Sequence, residues 1–294
     1  MNSGLNRKEL EKLLAGAEAL PPCPAVLGKV AEICRDPSSS ARDLGNVIAT
    51  DEALTSRLIK VVNSAYYGLR GTIATVTQAV VVLGYQEIKN MVYAVRAEDV
   101  FRDGGVDGGI DLEALWDHSL QVALLAREFS YRLRYPIPEE VFVAGIVHDI
   151  GQVILNQLAG PDYRSFRERS HADGRDLAAA EEEEFGVSHA EIGRRLAARW
   201  NFPDALQAAV AGHHRLPEGE DGLSGVAPFV LVANRVAVAR GRGQDERVAL
   251  GELPQAVLEL LRLDLVRLED SMAKAAGEYG RIRGIFGFSR EEES

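Results

Sequence analysis

Residues 141–155 read VFVAGIVHDIGQVIL, an apolar run interrupted at its centre by two ionisable side chains, His148 and Asp149. Burying such groups costs several kcal/mol unless they are paired or bind a metal ion. The run predicts one helix over Glu139–Gln157 that is apolar nearly all round, so at least one of the two side chains must be buried. The pair therefore indicates a polar site inside the core.

Helical periodicity places further polar side chains on the inward faces of other predicted helices. Side chains three and four residues apart share one face of a helix, so a polar residue on an apolar stripe points toward the core. A divalent cation is the natural shared partner for several buried imidazole and carboxylate groups. The predicted metal ligands are His118, His148, Asp149, His189, His213, His214 and Asn234.

The whole chain shows helical periodicity and almost no alternating strand pattern, which predicts an all-α fold. We divide it into an N-terminal helix (1–19), a helical subdomain (20–104), a second helical core (105–241), and C-terminal helices with a frayed tail (242–294). The main boundary falls in RDGGVDGGID, residues 102–111, whose four glycines and three aspartates interrupt the helical pattern.

Composition restricts the possible partners and compartment. The 294 residues carry a formal net charge of −11, which disfavours nonspecific binding to nucleic acid. The two cysteines, Cys23 and Cys34, favour reduced thiols over a disulfide framework. The N-terminus does not have a signal-peptide pattern, and no apolar run reaches the ~18–20 residues that span a membrane. We therefore expect a cytoplasmic protein, with its oligomeric state left open.

Four segments and a His-His pair occur in the order found in a known family. They are LPPCPAVLGKVAEICRDPSSSARDLGNVI (20–48), TDEALTSRLIKVVNSAYYG (50–68), TIATVTQAVVVLGYQEIKNMV (72–92), FGVSHAEIGRRLAARWNFP (185–203) and His213-His214. This pattern resembles the HDOD family, which is related to the HD superfamily of metal-dependent phosphohydrolases. The resemblance implies an N-terminal helical subdomain packed on an HD-like helical core, and a role in bacterial signalling.

The resemblance also implies a set of metal ligands. In the HD superfamily a first His, a His-Asp pair and a final Asp hold the metal, and the matching positions here are His118, His148, Asp149 and Asn234. The further histidines of two-metal members resemble His189 and His213 or His214. Iron, manganese, nickel and zinc all accept such mixed ligands. HDOD proteins are mostly thought not to hydrolyse phosphate esters.

Features of the candidate site weigh against catalysis. Asn234 in the last ligand position removes one negative charge, and Asp149 is then the only carboxylate that the sequence places in the site. The acidic run 181–184 predicts a solvated helix face. Arg194, Arg195 and Arg215 are the candidate phosphate contacts, although surface arginines are commonly solvated. The Gly-Tyr-Pro signature of the related HD-GYP family does not follow the His-His pair.

We therefore expect a non-enzymatic signal-transduction protein that acts through a signalling protein or a small regulatory ligand and carries a structural or vestigial metal pocket. A metal-dependent phosphohydrolase or phosphodiesterase is the alternative, with His148 and Asp149 as its catalytic residues. A nucleic-acid-binding regulator is the second alternative, because residues 72–95 can be interpreted as a helix–turn–helix. The only cations on its second helix are Lys89 and Arg96, which disfavours that alternative.

Overall fold

The computed structural model describes residues 20–64, 67–216 and 224–286. Within these ranges the secondary structure is helical and contains no strand, so the predicted all-α class is confirmed. The predicted N-terminal helix (Arg7–Glu18) and the frayed tail (289–294) lie outside the described residues.

The helices follow one another with short connections. The first part contains α1 (Ala25–Arg35), α2 (Ala41–Ile48), α3 (Glu52–Val62), α4 (Val76–Leu83) and α5 (Tyr85–Asp103). The central part contains α6 (Leu112–Arg132), α7 (Pro138–Val147), α8 (Ile150–Ala172), α9 (Leu177–Phe185), α10 (His189–Arg199) and α11 (Asp204–Gly212). The last part contains α12 (Ala227–Gly241), α13 (Glu246–Gly251), α14 (Gln255–Leu261) and α15 (Leu265–Phe286).

Helix α5 joins the first part to the rest of the molecule. It packs against α1, α3 and α4 on one side and against α6, α7 and α8 on the other. Its buried side chains therefore belong to one hydrophobic core that continues through the described residues. Helix α15 packs along α6, where the Trp116 indole donates a hydrogen bond to the carbonyl of Phe286. The boundary near residue 104 remains a prediction.

The apolar run around His148-Asp149 is not one helix, so the prediction of a continuous helix over Glu139–Gln157 was wrong. Helix α7 ends at Val147 and α8 begins at Ile150. Asp149 lies between them with φ −98° and ψ 8°, outside the α-helical region. Two short apolar helices are thus joined by a turn that contains both polar residues. This break turns the Asp149 side chain toward the neighbouring helices.

Helix α8 also changes direction, at Gly160, whose φ of 51° and ψ of −129° are not helical. The stretch 138–172 is long and apolar enough to span a membrane. However, 89% of its apolar 18-residue segment is buried inside the protein. A buried core helix can have the same length and composition, and the burial of this stretch matches that of a core helix.

Two glycines allow the helices that carry the site to approach each other. A Cβ on Gly151 would lie 1.9 Å from the carbonyl oxygen of His189 and 2.8 Å from the amide nitrogen of Gly193. A Cβ on Gly145 would lie 2.4 Å from the Cα of Ala123. Contact between backbones therefore sets the distance from α8 to α10 and from α7 to α6.

We predict that Gly151→Ala destabilises the fold by about 1–3 kcal/mol, because the added methyl group overlaps the backbone of α10. Thermal or urea unfolding followed by circular dichroism measures the change. Gly277→Ala on α15 is the matched control, since a Cβ there meets nothing within 4 Å. The control should stabilise the protein by about 0.5–1 kcal/mol, as Ala is the better helix former. Equal effects of the two variants would contradict the close approach.

Candidate metal centre

Asp149 lies at the centre of a group of imidazole rings contributed by four separate segments. Its Oδ2 atom is 3.2 Å from Nε2 of His148 and 3.6 Å from Nε2 of His118. Its Oδ1 atom is 3.2 Å from Nε2 of His189 and 3.3 Å from Nε2 of His213. The carboxylate is almost fully buried, with 3% of the residue exposed. Each of its two oxygens therefore faces its own pair of histidines.

Two of these rings are oriented by the backbone. Nδ1 of His148 lies 2.7 Å from the carbonyl oxygen of Gly145, one turn earlier. Nδ1 of His213 lies 2.7 Å from the carbonyl oxygen of Val210 in the same way. Only a protonated Nδ1 can donate to a carbonyl, so the Nε2 atom of each neutral ring carries a lone pair. Both lone pairs point toward Asp149.

Two other rings are oriented by buried or half-buried carboxylates. Nδ1 of His189 lies 2.6 Å from Oε2 of Glu181, which also accepts from the amide of His189 at 2.7 Å. The Tyr163 hydroxyl donates to the other oxygen of Glu181 at 2.6 Å. Nδ1 of His214 lies 2.7 Å from Oδ2 of Asp176, at the start of α9. A carboxylate behind each imidazole is the arrangement that fixes metal-ligating histidines in proteins.

The inner nitrogens of these rings stand too close together to be stable without a cation or a proton between them. Nε2 of His189 is 3.0 Å from Nε2 of His213 and 3.1 Å from Nε2 of His214. Nε2 of His148 and Oδ1 of Asp149 are buried and have no hydrogen-bond partner. Lone pairs that face one another repel. The residues therefore fit a divalent metal, which accepts them all.

The ligand atoms form two overlapping groups, in each of which they lie within 4.8 Å of one another. One group contains Asp149, His189, His213 and His214, and the other contains His118, His148 and Asp149. We call these six residues the His-Asp cluster. Because Asp149 belongs to both groups, its carboxylate could supply a ligand atom to an ion in either of them.

Electrostatics in the cluster favour a positive charge at its centre. Burial opposes protonation of His189, but the charges of Glu181 and Asp149 outweigh it and raise the pKa of His189 to about 10. Burial also acts against ionisation of Asp149, yet the surrounding histidines hold its pKa well below the usual value. Burial lowers the pKa of His118 to about 4. The cluster thus stabilises an ionised carboxylate together with one added positive charge, carried by a proton or by a metal ion.

The structure brings all seven sequence-predicted ligands into one region. Asn234 lies on α12, and its Oδ1 is 3.0 Å from Nε2 of His118. Its amide nitrogen donates to the carbonyl oxygen of His213 at 3.4 Å, which orients the amide oxygen toward His118. Asn234 therefore lies beside the second group and presents a neutral amide oxygen to it.

The expectation that residues 181–184 form a solvated face was wrong for its first member. Glu181 is fully buried, whereas the three glutamates after it are exposed. The signal in the sequence is its spacing: Glu181 lies three residues after Ala178 and four before Phe185, both buried on the inner face of α9. Asp149 is consequently not the only carboxylate of the site, since Glu181 and Asp176 stand behind two of its histidines.

A cavity of about 890 Å³, which we call the cluster cavity, opens beside the His-Asp cluster. His118, Asp149, His214 and Asn234 form part of its wall, so the cluster is accessible to a small molecule. The arginines named from the sequence are not part of this wall. Arg194 and Arg195 both pair with Glu191 on the surface of α10. Other arginines surround the cavity instead.

Comparison with known proteins agrees with the observed fold. The family model of the HDOD domain matches residues 20–216. The crystal structure of an HDOD domain protein of unknown function from Geobacter sulfurreducens has a TM-score of 0.71 at 23% identity and covers 96% of both chains. A candidate phosphohydrolase from Shewanella amazonensis SB2B has a TM-score of 0.71 at 25% identity, and the match covers 95% of this chain and 98% of that one.

A curated relative from Treponema pallidum (strain Nichols), an uncharacterised protein, is 23% identical over 245 residues. The match covers 83% of this chain but 46% of the relative. The chain therefore spans about half the length of this relative.

We predict that Glu181→Gln weakens binding of a divalent metal by about 10–100-fold, because the His189 ring loses the charged acceptor that orients it. Titration with Zn²⁺ or Mn²⁺ in competition with a chelator measures the change. Glu182→Gln on the same helix is the control, since Glu182 is exposed and should leave the affinity unchanged. Circular dichroism melts of both variants separate a loss of metal from a loss of fold. Wild-type affinity in Glu181→Gln would contradict this role.

Proposed function

The chain belongs to the HDOD domain family, and we propose that it is a signal-transduction protein whose His-Asp cluster holds divalent metal ions for ligand or partner binding rather than for turnover. The observation that carries the proposal is the convergence of Nε2 lone pairs from His189, His213 and His214 on one point next to the Asp149 carboxylate. The family resemblance supports the signalling role.

The proposed centre holds two ions, with Asp149 as the shared ligand. Oδ1 of Asp149 faces His189 and His213, and Oδ2 faces His118 and His148. A carboxylate that presents one oxygen to each group of imidazoles has the geometry of a bridging ligand. Iron, manganese, nickel and zinc all suit imidazole and carboxylate ligands. A bound ion of this kind would act as a Lewis acid and lower the pKa of a coordinated water.

The composition of the cluster supports binding over turnover. Asp149 is the single carboxylate among the candidate ligand atoms of the described residues, and Asn234 contributes a neutral oxygen where the superfamily pattern has an aspartate. Glu181 and Asp176 contribute negative charge only through the histidines that they orient. Such a centre binds cations less tightly on the His118 side, where no second carboxylate offsets the charge of an ion.

Access to the cluster favours metal-dependent phosphoester hydrolysis as the second candidate function. His118 and Asp149 lie on the wall of the cluster cavity, so a phosphate ester could reach the metal ions. His148 and Asp149 would then hold the ion that polarises the ester, as in the superfamily that the sequence resembles. A solved structure of similar fold is named as a candidate phosphohydrolase. This candidate shares the metal centre with the first and differs from it in turnover alone.

A nucleic-acid partner has less support from the contacts around residues 72–95. Arg96 pairs with Asp51 and with Asp99, so its charge is already balanced within the N-terminal helices. Val81 and Val82 on α4 are 73% and 49% exposed. An apolar surface with few available cations suits a protein partner better than a phosphate backbone.

We predict that the purified protein holds up to about two divalent ions per chain and that Asp149→Ala removes most of them, because both ligand groups lose their shared carboxylate. Elemental analysis by mass spectrometry measures the content. His171→Ala is the control, since His171 lines the same cavity outside the cluster. Metal-dependent hydrolysis of bis-p-nitrophenyl phosphate that Asp149→Ala abolishes would overturn the binding role and establish the second candidate. Absence of bound metal from the wild type would refute both.

We also predict that Asn234→Asp raises the affinity for Mn²⁺ by at least about tenfold, because it places a second carboxylate next to His118. Competition with a chelator gives the affinity. Gln244→Glu adds the same charge elsewhere on the cavity wall and serves as the control. A larger effect of Gln244→Glu than of Asn234→Asp would show that general charge, and not coordination, sets the affinity.

A further inference from the structure

The cluster cavity is large enough for a small organic molecule. Its volume of about 890 Å³ falls within the range of ~300–1,000 Å³ typical of ligand sites. The part of α8 beyond Gly160, the start of α9 and one face of α12 form its walls. Apolar side chains, among them Ile110, Leu177 and Val238, line it beside charged groups. It therefore combines surfaces for an apolar and an anionic part of one ligand.

Gln152 is a buried amide on the wall of this cavity. It lies one helical turn after Asp149, and 3% of the residue is exposed. Its Oε1 atom is buried and has no hydrogen-bond partner among the described residues. A buried amide without a partner is unfavourable, so native proteins nearly always satisfy such a group. Gln152 lines the cavity, but its Oε1 atom has no exposed surface, so the amide is part of the wall and not a contact of a ligand.

Among the described residues, no carboxylate pairs with the guanidinium group of Arg167 or of Arg242 on the wall. Arg167, on the second part of α8, is half-buried and makes no ion pair or hydrogen bond with any residue that the structure describes. Its charge reaches the cluster, because it adds to the effect of burial in lowering the pKa of His118. Arg242, at the end of α12, donates to the carbonyl of Arg175, but its Nε atom is buried without a partner.

The carboxylates on the wall already have partners, so they do not neutralise these arginines. Asp111 caps α6, Glu168 pairs with Arg164, Asp176 accepts from His214, and Glu252 lies 3.9 Å from Arg235. Asp149 faces the histidines. Arg167 and Arg242 therefore keep guanidinium donors that no described carboxylate of the wall engages. An anion with more than one negative charge is the matching ligand.

We propose that the cluster cavity binds a phosphorylated small molecule, with Arg167 as the main contact of its phosphate. A guanidinium presents several donors in one plane and suits phosphate oxygens better than a single charge does. The volume left around a phosphate accommodates the organic part. The regulatory meaning of this site rests on the small-ligand role proposed above. Recognition of the phosphate itself requires only residues that line the cluster cavity.

Isothermal titration calorimetry of the full-length protein tests the proposal with AMP, ribose 5-phosphate, inorganic phosphate and adenosine as probes. We expect AMP or ribose 5-phosphate to bind and adenosine to give no signal. Arg167→Ala should weaken that binding by at least about tenfold, and Arg167→Lys should restore part of it. Arg194→Ala, which breaks a surface pair outside the cavity, should bind as the wild type does.

The metal content of each sample, measured in parallel, separates this proposal from the proposed metal centre. If a phosphate ester binds to protein without metal and this binding depends on Arg167, the phosphate site is supported and the proposed metal centre is refuted. Metal-loaded protein that binds neither phosphate ester more tightly than adenosine would overturn the phosphate site alone. Unchanged affinity in Arg167→Ala would also overturn it. Inorganic phosphate that binds as tightly as both esters would refute the organic part of the ligand.

Discussion

The structure depends on one buried carboxylate, that of Asp149. A lone ionised carboxylate in an apolar core is strongly unfavourable, and it persists only when neighbouring groups compensate its charge. Here four imidazole nitrogens from different parts of the chain approach its two oxygens within 3.6 Å. The helices α6, α8, α10 and α11 must consequently keep a common arrangement. The polar centre and the hydrophobic core around it therefore depend on each other.

Backbone contact and carboxylate support hold this centre in place by different means. Gly151 lets α8 touch α10, which sets the distance between Asp149 and His189. Glu181 and Asp176 accept from the outer nitrogens of His189 and His214, so both rings keep their inner lone pairs free. Three carboxylates thus lie in or behind the cluster, and they would offset much of the charge of the proposed ions without all binding them directly. This arrangement suits retention of metal more than rapid chemistry.

The cluster and the rest of the molecule are in direct contact. Helix α5 packs on α7 and α8, which flank His148 and Asp149, and also on the N-terminal helices. The cluster cavity opens between α8, α9 and α12. A ligand in the cavity would therefore contact the same helix, α8, that borders the N-terminal part. In the signalling role proposed above, this shared helix would connect the ligand site with the N-terminal part.

The sequence by itself determined the helical class and the inward-pointing ligands, because both follow from the 3.6-residue period and from the cost of burying ionisable groups. It also indicated the family through motifs in a fixed order, which the match over residues 20–216 confirms. Only the tertiary structure decided the break at His148-Asp149, since an apolar run carries no local signal that a helix must end to turn a carboxylate inward. It alone placed Glu181 behind His189 and left Arg167 without a carboxylate partner among the described residues. Those roles depend on which helices pack against each other. The helical periodicity of one segment shows which of its faces is buried, but it does not show which helix covers that face.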